Sequence, residues 1–504
     1  MSVITASTLY DYIRCPHRVW RDKYGPQDEK DKDVNPFVKL LWEKGIQHEE
    51  KIVKTLGAYI DLRQGTIEER IARTTTALQS GENLLYQPVI RAGDLLGIPD
   101  LLQKCSDGTY KPIDIKSGVA LEGDEDDEAP GKPKKHYAVQ LCLYVDILKQ
   151  NGFQKSKTAD IIDIGADVVT YKLDESIGPR TPMSWWQLYL QTKKEVQLQL
   201  RNSEGNQPAM CGVCKLCPWY SSCTKWCRET DDMTTIFYVG RKVRDTLSRE
   251  LDISSALEVE GLDVETLVKR KEKDKDYLKG LGETSLTTMV RRAHVLKTRK
   301  SPVVYSKKSF PEVSTELFFD IEDDPTQDFV YLHGVLERNN GKERYLSFVA
   351  PTNSAEDEQK AWSDFWRYIK SLKANNFTVY YYSHHEKTTY KRLFNKYPDI
   401  IEADYLESFF ENSNVIDLYK FVSKNTDWPT WNYSLKTLAT YLGFHWRDET
   451  PSGALSIEWF SRYLESKDPK ILERILQYNE DDCRATLVLK DALEKMIKGT
   501  VIAK

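Results

Sequence analysis

No apolar run in this chain of 504 residues approaches membrane-spanning length, so no bilayer partner is expected. The opening Met1-Ser2-Val3-Ile4-Thr5 has neither the charged nor the apolar stretch of a signal peptide. No G-x4-G-K-S/T phosphate loop is present, which removes an ATP motor of that type. Self-similarity at a solenoid period is missing as well. Basic residues are not in excess: 72 Lys and Arg stand against 77 Asp and Glu, a formal charge of −5. Nucleic-acid binding would therefore rest on local basic surfaces, not on a global field. Cysteine is scarce, with nine residues, yet five of them crowd into 211–227. That clustering fits metal ligation in a reducing cytoplasm and not a disulfide framework.

Hydrophobic residues make up 40% and aromatics 11%, enough for sizeable cores, and the length predicts two or three domains. Residues 1–228 mix helix and strand. An amphipathic opening helix carries Cys15, a second periodic stretch runs from Phe37 to His48, and short apolar runs near 85–104 and 110–116 read as strands. Residues 137–150 predict a helix with a buried face. Gly123 to Pro130, an acidic run followed by a basic one, reads as a solvated loop. Residues 229–300 are helical and charged, and Lys297 to Pro302 reads as a linker. The remainder, 301–504, turns strand-rich from about 312 and then helical.

The first chemical motif is Pro112-Ile113-Asp114-Ile115-Lys116. On a strand, residues two apart share a face, so Asp114 and Lys116 project together while Ile115 points into the core. A carboxylate can hold a divalent metal, and an adjacent ammonium can orient the attacking water and offset phosphate charge. Asp100, in Gly97-Ile98-Pro99-Asp100, offers a second carboxylate at a strand start. His48, in Gly45-Ile46-Gln47-His48-Glu49, is a helical third candidate. Gln140 and Tyr144, four apart on one helical face, can contact the site or the substrate. The plain alternative is a surface Asp114–Lys116 ion pair beside an ordinary helical histidine.

In this order the set resembles the PD-(D/E)XK nuclease superfamily, specifically its RecB-like branch with an iron–sulfur cluster, which includes CRISPR-associated exonucleases. The resemblance covers about 10–225. It implies a restriction-endonuclease-like core with metal ligation by His48, Asp100, Asp114 and the carbonyl of Ile115, and Lys116 as the catalytic lysine. The cysteines follow the same branch: Cys15 before the core, and Cys214, Cys217 and Cys223 as C-x2-C-x5-C after it. These four imply a 4Fe–4S cluster that pins the ends of the domain. Zinc on four of the C-terminal thiols stays open, since Cys211 and Cys227 offer other groupings.

Leu278-Lys279-Gly280-Leu281-Gly282, followed by a helix, looks like a helix-hairpin-helix turn. Gly280 and Gly282 would let backbone amides approach phosphate without reading sequence. A glycine-capped connection between packed helices is the alternative.

Asp320-Ile321-Glu322 is again an acid pair on one face of an apolar strand, and a cation would relieve its repulsion. Far downstream, Tyr478 and Asp482, four apart, open a helix and share its face. Between them a strand at 377–382 runs into Ser383-His384-His385-Glu386. This order resembles the DEDD exonucleases of the RNase H-like fold, over about 314–498. The resemblance implies two metals held by Asp320, Glu322 and Asp482, with Tyr478 orienting the water. The third acid departs from the pattern, being Glu386 where the family has Asp. Asp417 is a rival whose alternative is a helix N-terminal acid. His384 and His385 are candidates for general acid–base work or metal binding, but at a strand-to-helix turn they are expected to bond local backbone.

The expected protein is a multidomain α/β nuclease dependent on Mg²⁺ or Mn²⁺. A PD-(D/E)XK domain spans 1–228, a helix-hairpin-helix-like module 229–300 and an RNase H-like domain 301–504. Its expected substrate is DNA, single-stranded or with ends, cut in exonuclease fashion at two centres. Family members often attach to helicases, which implies a helicase acting in trans. An RNA 3′–5′ exonuclease working through the C-terminal centre, and a non-catalytic nucleic-acid adaptor, are the alternatives.

Overall fold

Alternating apolar and polar residues dictate the strands that carry both acid pairs. A computed structural model of the chain describes residues 2–32, 36–122, 131–178, 181–298, 301–373 and 376–499. The acidic run 123–130 and part of the expected linker, residues 299–300, lie outside the described residues. The chain divides into two units, 1–208 with 212–223, and 209–211 with 224–504. Residues 229–300 fall with the C-terminal unit.

In the first unit, helices α1 (Ala6–Arg14) and α2 (Pro16–Tyr24) meet at Cys15. Cys15 therefore sits in an extended break between two helices, and not within the opening helix as the periodicity predicted. Pro16 explains the break: its ring pushes the preceding residue out of the helical region, while it starts α2 itself. Helix α3 spans Pro36–Val53 and α4 spans Lys135–Gln150.

The sheet comprises β1 (Ile60–Asp61), β2 (Leu84–Tyr86), β3 (Leu101–Lys104), β4 (Tyr110–Ile115), β5 (Thr158–Ile162) and β6 (Val168–Lys172), in the order β6-β5-β4-β3-β2-β1. Strand β4 runs antiparallel to β3 and parallel to β5. Helix α4 is apolar almost all round, with Leu141 to Leu148 buried, and belongs to the main core of this unit.

In the second unit, α5 (Val264–Lys273) and α6 (Glu283–Thr298) are joined by a turn with left-handed residues at Leu278 and Gly280. Helix α6 continues to Thr298, so the expected linker begins inside a helix. Two arginines of α6, Arg291 and Arg292, ion-pair with the fully buried Asp427. Such a desolvated carboxylate needs both cations to be tolerated.

A mixed sheet then forms from β7 (Thr315–Asp324), β8 (Phe329–Asn339), β9 (Lys342–Val349), β10 (Phe377–Tyr381) and β11 (Val415–Asp417). Its order is β9-β8-β7-β10-β11; the first three are antiparallel, while β10 and β11 add in parallel. The later helices are α7 (His385–Lys396), α8 (Leu418–Asn425), α9 (Leu435–Tyr441), α10 (Gly453–Ser466) and α11 (Pro469–Ile497). Helix α11 starts at Pro469 under an Asp468 cap, well before the Tyr478 start that the motif suggested. No described helix is long and apolar enough to cross a membrane.

Candidate nuclease centres

Register builds the first centre. Leu101 pairs with Ile113 across antiparallel strands, which sets Asp100 opposite Asp114. The Asp100 carboxylate accepts the Ile115 N–H at 2.7 Å and a Gln87 amide N–H at 2.9 Å. Lys116 Nζ lies 2.9 Å from Asp114. Gln140 donates to Tyr144 Oη, and Tyr144 donates to the Ile98 carbonyl, both at 3.3 Å, which holds the α4 face beside Asp114. The structure therefore brings Asp100, Asp114, Lys116, Gln140 and Tyr144 together.

His48 is placed differently. Its Nε2 meets the Asp163 carbonyl at 2.9 Å, just past the end of β5. The neighbouring Glu49 instead joins the acid network, accepting from Gln87 at 2.7 Å and from Tyr86 Oη at 3.0 Å. Glu49 and Gln87 escaped the sequence reading because neither belongs to a recognisable spacing.

Burial, then the charge of Asp114, pushes Asp100 up to about 8, with Glu49 adding to the effect. Burial opposes the Lys116 ammonium, but Asp114 and Asp100 outweigh it and raise its pKa. The centre is a carboxylate pair with its own internal cation.

The cysteines bracket this unit. Trp219 donates to Asp22 at 2.8 Å, and the Arg21 guanidinium lies 4.5 Å from the Trp219 ring centroid, joining α2 to the segment after Cys217. Cys217 feels the charge of Cys15, although burial is the main cause of its raised pKa. None of the nine cysteines forms a disulfide.

The second centre is more crowded. Asp320, Glu322 and Asp482 each offer an oxygen within 4.8 Å of the others, the one such group of three among the described residues. Strand β7 supplies the first two, and α11 supplies Asp482 one turn after Tyr478. Asn479 holds the pair, its amide donating to Asp320 at 2.8 Å and to Glu322 at 3.4 Å. Space for Asn479 comes from the facing strand: a Cβ on Gly334 would lie 1.6 Å from Asn479 Oδ1. The register pairs Gly334 directly with Asp320. Tyr345 Oη donates to the same Oδ1 at 2.9 Å and so fixes which way the amide faces.

A bulge follows Glu322, where Glu322 pairs with Leu332 but Asp323 pairs with Val330. The extra residue, Tyr331, shares a 2.9 Å hydrogen bond with Ser456 of α10, and Ser456 bonds Glu322. Trp446 donates to Asp482 at 2.7 Å, and Tyr478 also bonds that carboxylate. Burial and then Asp482 push Glu322 up to about 8. Asp320 rises well above the ordinary range through burial, Asp482, Glu322 and Glu386, against the opposing charge of Lys436.

Glu386 is buried at the start of α7, and burial lifts it to about 7. It is felt by Asp320 but stands outside the trio. Ser383, which donates to it at 3.3 Å, has φ +143°, a conformation that costs energy in a non-glycine residue. Asp417 caps α8, accepting the Lys420 N–H at 2.9 Å. The His385 side chain does not bond backbone as expected; its Nε2 meets Asp323 at 2.9 Å, on the strand face opposite Asp320 and Glu322. That bond, opposed by burial, raises the His385 pKa.

At the α5–α6 turn, a Cβ on Gly280 or Gly282 would meet no heavy atom within 4 Å, so this backbone lies open. Only Gly280 needs glycine for its φ of +88°.

Residues 6–224 match the model of the PD-(D/E)XK nuclease superfamily, and residues 317–494 match that of the RNase_H superfamily. No curated protein matches the chain.

Proposed function

As a PD-(D/E)XK nuclease superfamily domain joined to an RNase H superfamily domain, the chain is a metal-dependent phosphodiester hydrolase, and we propose that it is a DNA exonuclease with two working centres. The observation that carries the second centre is the gathering of Asp320, Glu322 and Asp482 on one spot. Three carboxylates this close repel, two of them buried and Asp320 partly so, and hard oxygen donors suit Mg²⁺ or Mn²⁺. A divalent cation held there would polarise the phosphate and acidify water. Asn479, Trp446 and Ser456 keep the acids in place, and Tyr478 orients water beside Asp482.

In the first centre Asp100 and Asp114 would hold the cation, with the Ile115 carbonyl completing the set. Glu49, which shares the Gln87 amide with Asp100, competes with His48 for the third place. Lys116 would position the attacking water and offset charge on the phosphate. Gly280 and Gly282, on open backbone, would let amides at the α5–α6 turn grip a strand by its phosphates. Single-stranded or end-containing DNA fits two centres that lack any motor, and a helicase in trans would supply such ends.

We assign the 4Fe–4S cluster to Cys15, Cys214, Cys217 and Cys223. What supports it is the stitching of α2 to the Cys217–Trp219 segment and the charge that Cys15 exerts on Cys217. Zinc on four of the C-terminal thiols is the alternative, and metal analysis of the purified protein separates the two.

The test is purified full chain with Mn²⁺ on end-labelled single-stranded DNA and RNA. Shortening of DNA from an end, lost in part with Lys116→Ala and in part with Asp320→Ala, is the expected result. RNA cleavage alone would overturn the substrate, and binding without cleavage under any metal would leave an adaptor. Anaerobic protein should be brown with absorption near about 400 nm, a colour lost in Cys217→Ser.

A further inference from the structure

Lys436 belongs to no motif discussed above, yet it reaches the heart of the C-terminal centre. It lies on α9, whose first turn Ser434 caps by accepting the Thr437 N–H. Its Nζ donates to Tyr478 Oη at 2.8 Å and to the Pro451 carbonyl at 2.8 Å. The same ammonium lies 4.8 Å from the centroid of the Tyr478 ring. Tyr478 is itself bonded to Asp482.

Hydrogen-bond chemistry gives this chain a direction. An ammonium has donors only, so Lys436 must donate into a lone pair of the phenol oxygen. An ionised Asp482 has acceptors only, so the one phenol hydrogen must point to it. Without Lys436 the hydroxyl could rotate or accept from elsewhere. With it, one lone pair, one hydrogen and the oxygen position are all assigned, and the last lone pair faces a fixed direction. The Pro451 carbonyl anchors the ammonium from the loop that also carries Trp446, the second donor to Asp482.

We propose that Lys436 is a positioning residue of the C-terminal centre, acting through Tyr478 to fix the hydroxyl that orients the attacking water. The inference rests on the nuclease reading of that centre. It separates the role of Lys436 from that of the acids: the lysine steers the water, whereas the acids hold the cation. Removing a positive charge beside three carboxylates should not weaken Mn²⁺ binding, and it should slow turnover.

The experiment uses the full chain in a Lys116→Ala background, so that only the C-terminal centre is read. Lys436→Met, Tyr478→Phe and the double variant are assayed on labelled single-stranded DNA, with Mn²⁺ affinity measured on metal-free protein by calorimetry. Each single substitution is expected to lower kcat by about 10²-fold, and the double by no more than Tyr478→Phe alone. Mn²⁺ affinity should hold or tighten in Lys436→Met, and Lys436→Arg should recover part of the rate. Should Lys436→Met fail to fold, Lys436→Gln, a neutral donor, takes its place in the cycle. Multiplicative losses, or Mn²⁺ affinity falling in step with rate, would overturn the proposal while the nuclease reading stands. Activity in the Lys116→Ala background that survives Asp320→Asn would overturn that reading, and the inference with it.

Discussion

The two centres solve one electrostatic problem in opposite ways. In the first, Asp114 is paired with Lys116 at 2.9 Å, so the buried acids carry their own counter-charge. In the second, three acids stand within 4.8 Å, and Lys436, whose charge they feel, donates to Tyr478. Clustered like charges raise one another's pKa; the Lys436 charge offsets part of that rise, and a bound cation would relieve more of it. The lesson is that the first centre holds an ammonium in direct contact with one of its acids, while the second gathers three acids on one spot.

The largest effects to test the comparison are on activity. Asp320→Asn and Lys116→Ala are each expected to remove their own share of cleavage by about 10³-fold or more and leave the other share intact. Gly334→Ala should come next, lowering the C-terminal share by about 10²-fold by displacing Asn479 without touching an acid. Single-turnover cleavage of labelled DNA reads both.

Stability sets the centres apart by sign. Asp114→Asn should destabilise the metal-free chain by about 1–2 kcal/mol, because it takes the ion-pair partner from the partly buried Lys116. Glu322→Gln should do the reverse. An acid with a raised folded pKa costs stability as pH climbs from the ordinary 4.5 toward about 8. The neutral amide should therefore gain about 1–3 kcal/mol at pH 8 and little at pH 4. Urea unfolding in chelator at both pH values checks the pair, and equal signs would abolish the contrast.

Mn²⁺ should raise the melting temperature more at pH 8 than at pH 6, since protons and cation compete for the same oxygens. Part of that rise should vanish in Glu322→Gln and part in Asp114→Asn, each variant disabling the cation site of one centre. The smallest effect is at His385. Its raised pKa stabilises the fold below the ordinary histidine value and is lost as pH rises past the folded value. The ring is half exposed, so His385→Gln should cost less than about 1 kcal/mol at pH 5.5 and nothing at pH 9.

Much of this was readable from spacing. Asp114 with Lys116 and Asp320 with Glu322 sit two apart on apolar strands, and Tyr478 and Asp482 sit four apart on a helix. Such local periodicities survive without tertiary information. What stayed hidden depends on contacts between distant stretches. Gly334 looks like any strand glycine until Asn479 arrives from α11. Lys436 looks like a solvated helix residue until Tyr478 meets it. Glu49 stood beside the chosen His48 and was passed over, because one residue of helical rotation decides which side chain reaches Gln87. The periodicity places Cys15 in a helix, whereas Pro16, directly after it, disfavours helical geometry there. His385 is expected on backbone, and its partner Asp323 shows only once α7 packs beside β7.

The bulge after Glu322 has a further consequence. Four acids run almost unbroken along Asp320-Ile321-Glu322-Asp323-Asp324, and a regular strand would align Asp320, Glu322 and Asp324 along one edge. Instead the added Tyr331 twists the ribbon, Asp323 goes to His385 and Arg392, and Asp324 folds back onto Thr326 and Gln327. One surplus residue on the neighbouring strand thus works as a valve on valence, setting how many negative charges the protein presents to an incoming ion.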